Sequence, residues 1–101
     1  MQVKLSRFVE PDLERIADFI ASHNPTRAVA FVAEIRREML RIGQNPLGYR
    51  LRPEIGKDVR MSIHGRYVIL FRILVDFGAS GDVVFVDRVL NGARDLPVQA
   101  R

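Results

Sequence analysis

The spacing of apolar residues changes period along this chain, and each change marks an element. Gln2 to Ser6 alternates polar and apolar, placing Val3 and Leu5 on one face, as in a short half-buried strand. Val9, Leu13, Ile16 and Ile20 then recur three and four residues apart. Asp12, Glu14, Arg15 and Asp18 take the outer positions, which predicts an amphipathic helix ending near Ser22. Its acidic start (Glu10, Asp12, Glu14) suits the positive end of the helix dipole, and Pro11 belongs in a first turn, where a missing N–H costs little. Asn24-Pro25 is a restart signal, an N-cap followed by a proline at the first helical position. The stripe Ala28, Phe31, Val32, Ile35, Met39 and Ile42 carries the second helix to Gly43, the predicted C-terminal cap. So short a link forces the two helices into an antiparallel hairpin.

Pro46, Gly48, Pro53 and Gly56 mark Gln44 to Lys57 as an irregular connection. Beyond it the period falls to two: Val59, Met61 and Ile63 alternate with Arg60 and Ser62, and His64-Gly65 is a turn into a strand over Arg66 to Val75. Tyr67 to Phe71 is apolar on both faces, as a central strand requires. Asp76 to Gly81 supplies a longer turn, and Val83 to Leu90 a last strand ending at Asn91-Gly92. The order strand-helix-helix-strand-strand-strand predicts an α+β fold, with a helical hairpin on one face of a mostly antiparallel, twisted sheet. A length of 101 residues suits one domain spanning 1–101.

Composition narrows the function classes. Hydrophobic residues make up 48% and charged residues 28% of the chain, values of an ordinary soluble globular domain. No apolar run is long enough to span a bilayer and no signal sequence leads the chain, so a cytoplasmic protein without membrane contact is expected. The absence of cysteine excludes disulfides, thiolate metal sites and thiol nucleophiles. The net charge of +4 is unevenly spread: residues 41–72 hold seven basic and two acidic side chains, whereas residues 1–40 are balanced at six each. Fourteen of the 16 basic residues are arginine, which favours forked contacts with carboxylates or phosphates. This band is either a solvated face whose arginines pair with nearby acids or a docking surface for an acidic protein or nucleic acid.

Convergent catalytic groups are scarce. His64 is expected to be a solvated turn residue, and His23 ends the first helix; neither has a metal-ligand companion four residues on, so no metal and no cofactor is expected. Gly43, Gly48 and Gly56 are too scattered for a phosphate loop. Tyr67 is expected in the core. Arg60, Arg72 and Arg88 interrupt strands, which requires either pairing with Asp87 or a similar acid, or an open sheet face. Phe8, Phe19, Val29 and Leu40 lie off the core stripes of the helices, as packing between helices or a partner surface would place them, with Arg36 and Arg37 close by.

Leu5-Ser6, Asp12-Leu13 and Ile16, Phe19-Ile20, Ala28 and Phe31, Asn45-Pro46, Arg52-Pro53-Glu54, Val59-Arg60, Tyr67 to Arg72 and Arg88 to Leu96 together resemble, in order and spacing, the ParE family of bacterial toxins over nearly the whole chain. Asn91-Gly92-Ala93 stands where that family commonly has His-Gly-Arg. The resemblance implies the toxin of a type II toxin-antitoxin system in the ParE/RelE superfamily, held in a hetero-oligomer by a ParD-like antitoxin. It also implies a protein that poisons DNA gyrase by contact, with no catalytic residue and no specific DNA binding of its own. Arg60, Arg66, Arg72, Arg88 and Arg94 are the candidates for target contact; Phe8, Phe19, Val29, Arg36 and Leu40 are those for the antitoxin. The alternatives are a RelE-like ribosome-dependent mRNA endoribonuclease or an inactive binding module. Nuclease relatives typically carry a tyrosine or histidine near the C-terminus, and the segment after Leu90 has neither.

Overall fold

The computed structural model describes residues 1–96, so residues 97–101 of the C-terminal segment lie outside the described residues. Strand β1 (Gln2–Leu5) leads into helix α1 (Val9–Ala21) and helix α2 (Pro25–Gln44). Strands β2 (Arg60–His64), β3 (Tyr67–Leu74) and β4 (Val83–Asn91) follow. They form one sheet in the order β1-β4-β3-β2, with β1 parallel to β4 and the other two pairings antiparallel. The fold is the α+β arrangement that the sequence predicts.

The helical hairpin covers one face of the sheet. Val9, Leu13 and Ile16 from α1 and Phe31, Ile35, Met39 and Ile42 from α2 pack on Tyr67, Ile69 and Phe71 of β3 and Val84, Val86 and Val89 of β4. The opposite faces of β3 and β4 hold a second cluster of Val68, Leu70 and Leu90, covered by Ile55, Val59, Met61 and Leu96. Burial on both sides is what makes Tyr67 to Phe71 continuously apolar. Asn24 caps α2 as expected, its side-chain carbonyl accepting the N–H of Arg27 at 3.1 Å.

Three boundaries differ from the sequence reading. The β2–β3 turn is Gly65-Arg66, with Gly65 at φ 61°, and His64 closes the ladder opposite Tyr67. Leu5 is exposed because β1 ends there; Val3 alone reaches the core. Gly43 is no cap. It is buried inside α2, which continues to Gln44 and is capped by Asn45. Glycine is needed there because β1 crosses the helix closely: a Cβ at this position would lie 2.7 Å from Val3 Cγ2 and 2.9 Å from the Met1 carbonyl oxygen.

Gly43→Ala therefore sets a gain in helix propensity of about 1 kcal/mol against a backbone clash, and overpacking of this kind costs about 1 to 3 kcal/mol. A net loss of stability is expected in urea denaturation. A variant as stable as the parent would show that β1 is free to lift from α2.

Candidate functional site

The best-connected polar group is the Asp12 carboxylate, 1% exposed between α1 and β4. It accepts from Arg88 Nε and Nη2, both at 2.8 Å, from Arg15 Nη2 at 2.6 Å and from the Val89 N–H at 3.0 Å. The last bond explains the position. β1 pairs with β4 only as far as Val86, and past that point Asp12 takes the donor that a longer β1 would have taken. Asp12 is thus no outer residue of its helix, as the sequence suggested. Burial pushes its pKa up, but the bonds from Arg88, Val89 and Arg15 outweigh burial and hold it below the ordinary carboxylate value.

A β-bulge sets the neighbouring pair. Leu70 faces Arg88 and Phe71 faces Val86, so Asp87 has no partner residue on β3. Its carboxylate instead takes Arg72 in a forked pair, 2.8 Å for each bond. Arg60 donates to the Tyr49 carbonyl at 2.6 Å, and Arg94 pairs with its neighbour Asp95 at 3.1 Å. Pairing, not a bare open face, is how the strand arginines are accommodated.

Two carboxylates of α2 were not singled out by sequence reasoning. Glu38 accepts from Ser62 Oγ at 2.5 Å, Arg41 Nε at 2.8 Å and the Tyr49 hydroxyl at 3.0 Å, which more than offsets the upward push of burial on its pKa. Glu34 bonds Arg27 and the His64 ring, the latter at 2.8 Å, and is lowered to about 2 chiefly by the Arg27 bond and then by that from His64. His64 is therefore not a solvated turn residue; it ties the end of β2 to α2, with its ring 6.0 Å from that of Phe31.

The five antitoxin candidates do not form one patch. Val29, 75% exposed, and Arg36 line an apolar groove along the outer side of the hairpin, together with Ala17, Ala21, Ala28 and Val32. Arg36 is already paired with Glu10 of α1 at 2.6 Å. Leu40 is exposed further along α2. Phe19 lies at the closed end of the hairpin. Phe8 precedes α1 and lies under the guanidiniums of Arg7 and Arg88. Among the target candidates, Arg72 and Arg88 share one surface depression with Phe8 and Phe85, and Arg66 and Arg94 share another. Arg60 stands apart from both. Among the described residues, no group of three or more potential metal ligands is found, and no helix is long and apolar enough to cross a membrane.

Residues 3–96 match the family model described as the ParE toxin of the type II toxin-antitoxin system parDE. The chain belongs to the ParE toxin family. No curated protein matches it. Among solved structures, this ParE chain resembles one described as the chromosomal ParDE toxin-antitoxin system from P. aeruginosa. The TM-score is 0.75 at 21% identity, over 90% of this chain and 95% of that one, which establishes the shared fold. A weaker likeness, TM-score 0.48 and 23% identity over 89% of this chain and 95% of the other, is to the RelBE2 toxin-antitoxin complex from Mycobacterium tuberculosis.

Asp12→Ala in this ParE toxin would leave the Val89 N–H without an acceptor, at a cost of about 1 to 3 kcal/mol, while the Arg88 side chain, 38% exposed, would exchange its carboxylate for water. The pH dependence has a definite sign. The folded pKa values of Asp12, Glu34 and Glu38 are depressed, so their stabilisation is complete above the ordinary carboxylate range and is lost as pH falls through the lower folded values, about 2 for Glu34. Urea midpoints measured from neutral pH downward should fall for the parent. They should fall less steeply for Asp12→Asn, which has no proton to take up at that site.

Proposed function

We propose that this ParE toxin acts by binding DNA gyrase rather than by cutting RNA, and that a ParD-like antitoxin neutralises it. The observation that carries this reading is the commitment of the arginines. Cleavage through a 2′-hydroxyl needs a base, an acid and cations free to meet the phosphorane charge. Here Arg72, Arg88 and Arg94 are each paired with an aspartate and Arg60 with a carbonyl, while the His64 ring is held by Glu34. Of the five target candidates Arg66 alone is left without such a partner among the described residues, and one cation does not make a nuclease site. Forked pairs on a sheet face give a rigid pattern of charge, which suits shape-specific recognition of a protein surface. For the antitoxin, the apolar groove beside Val29 has the form that an amphipathic segment fills with anchors three and four residues apart.

Purified toxin should inhibit gyrase supercoiling, and inhibition should survive His64→Ala. Expression alone should stop growth with DNA damage and filamentation. Growth arrest through mRNA cut at the ribosome would instead establish the nuclease reading, and loss of inhibition in folded His64→Ala would give that ring a direct role.

Val29→Asp places a charge in the groove without touching the core, so antitoxin affinity should fall at least about tenfold, or about 1.4 kcal/mol, with the melting temperature unchanged. Leu40→Asp serves as a comparison outside the groove. Equal binding of Val29→Asp and the parent, measured by calorimetry, would move the antitoxin interface elsewhere.

A further inference from the structure

The closed end of the helical hairpin, where it meets the β2–β3 turn, brings one target candidate, Arg66, together with one antitoxin candidate, Phe19. A cleft of about 530 Å³ opens there between Phe19, Ile20, Arg27 and Phe31 of the helices and His64, Gly65, Arg66 and Tyr67 of the strands. That volume is within the range of small-molecule pockets, about 300 to 1,000 Å³. A second depression, bordered by Arg15, Asn91 and Arg94, continues from it across Phe19, Arg66 and Tyr67, which the two share.

The shared residues have complementary properties. Tyr67 is 8% exposed, its ring fixed edge-on by Phe31 at 5.0 Å. Its hydroxyl has no hydrogen-bond partner among the described residues. No fully enclosed side-chain polar atom is left without a partner among those residues, so this hydroxyl is open to solvent at the tip of an otherwise buried ring, and Tyr67 lines both depressions. Arg66 is exposed and makes no ion pair among the described residues. Its neighbours are all engaged: Arg27 and His64 with Glu34, Arg15 with Asp12, and Arg94 with Asp95. Phe19, 57% exposed, stands at the rim, with the His23 ring tilted beside it at 5.9 Å between ring centres.

An unpaired guanidinium beside a phenolic donor suits a phosphate, which accepts from both. Arg15, Arg27 and Arg94 are each offset by a carboxylate, Asp95 among them at the edge of the second depression, so the unpaired charge is that of Arg66, and the exposed ring of Phe19 gives a planar group a surface to stack on. We propose that this cleft binds a nucleoside phosphate, with the phosphate at Arg66 and the Tyr67 hydroxyl and the base against Phe19.

The test is a titration of the full chain with AMP, followed by amide NMR and by tyrosine fluorescence, with adenosine and inorganic phosphate as separate arms. AMP should give saturable shifts centred on Phe19, Arg66 and Tyr67, and should bind more tightly than either fragment. Arg66→Ala should weaken AMP at least about tenfold. Tyr67→Phe keeps the packed ring and removes only the hydroxyl, so it should weaken AMP while leaving the melting temperature unchanged; a merely structural tyrosine would show no such loss. Phe19→Ala should weaken AMP but not inorganic phosphate. Absence of saturable shifts at millimolar AMP overturns the proposal, as does unchanged affinity in both Arg66→Ala and Tyr67→Phe. A glutamate-rich peptide that binds these residues when AMP does not would also overturn it, making the cleft a protein contact.

Discussion

One buried carboxylate joins the two layers of this toxin. Asp12 projects from the first turns of α1 into the edge of β4 at the point where β1 stops pairing, and there it bonds two guanidiniums and a backbone N–H. Without it the second half of β4 would present an unpaired strand edge beneath a helix, where water cannot reach the free donor. The apolar contacts between α1 and the sheet supply most of the attraction, but they are not directional and would tolerate a rotated helix. The three bonds that reach Asp12 from β4, two from Arg88 and one from the Val89 N–H, are directional. They fix the rotation of α1, and with it the direction of the whole hairpin.

The same kind of pairing shapes the surface. A chain with an excess of basic residues would be expected to present a broad positive field, yet many of its arginines are spent internally: on Asp12, Asp87, Glu34, Glu10, Glu38 and Asp95. What remains is positive charge on a few exposed arginines that make no ion pair among the described residues. Arg66, in the β2–β3 turn, is the clearest of these.

Most of the architecture is legible in the sequence because hydrophobic period reports burial directly. The 3.6 period of α1 and α2 and the two-faced apolar run of Tyr67 to Phe71 predict the layers, since each can be buried in only one way. Side-chain pairing was less accessible. Asp12 sits about 60° from Val9 on a helical wheel, nearer the apolar stripe than Glu10, Glu14 or Asp18, and that offset was the available signal of its burial. His64 and Glu34 are thirty residues apart, and no local rule joins them. Gly43 follows the last apolar residue of its helix, as a cap would, and only the crossing of β1 reveals a steric role. Arg36 looked free because Glu10, its partner, lies on the other helix.

The parallel pairing of β1 with β4 joins the first strand of the sheet to the last, Gln2 opposite Val83 and Leu5 opposite Val86. Contacts of such separation must wait for a large loop to close, and they slow the final step of folding. During synthesis, β1 leaves the ribosome well before its only strand partner exists, while the helical hairpin can already form. The socket for Asp12 is likewise incomplete until Arg88 and Val89 have been added. The sheet face that carries Arg72 and Arg88 is therefore assembled only at the end of translation, so a truncated chain would lack it even with both helices intact.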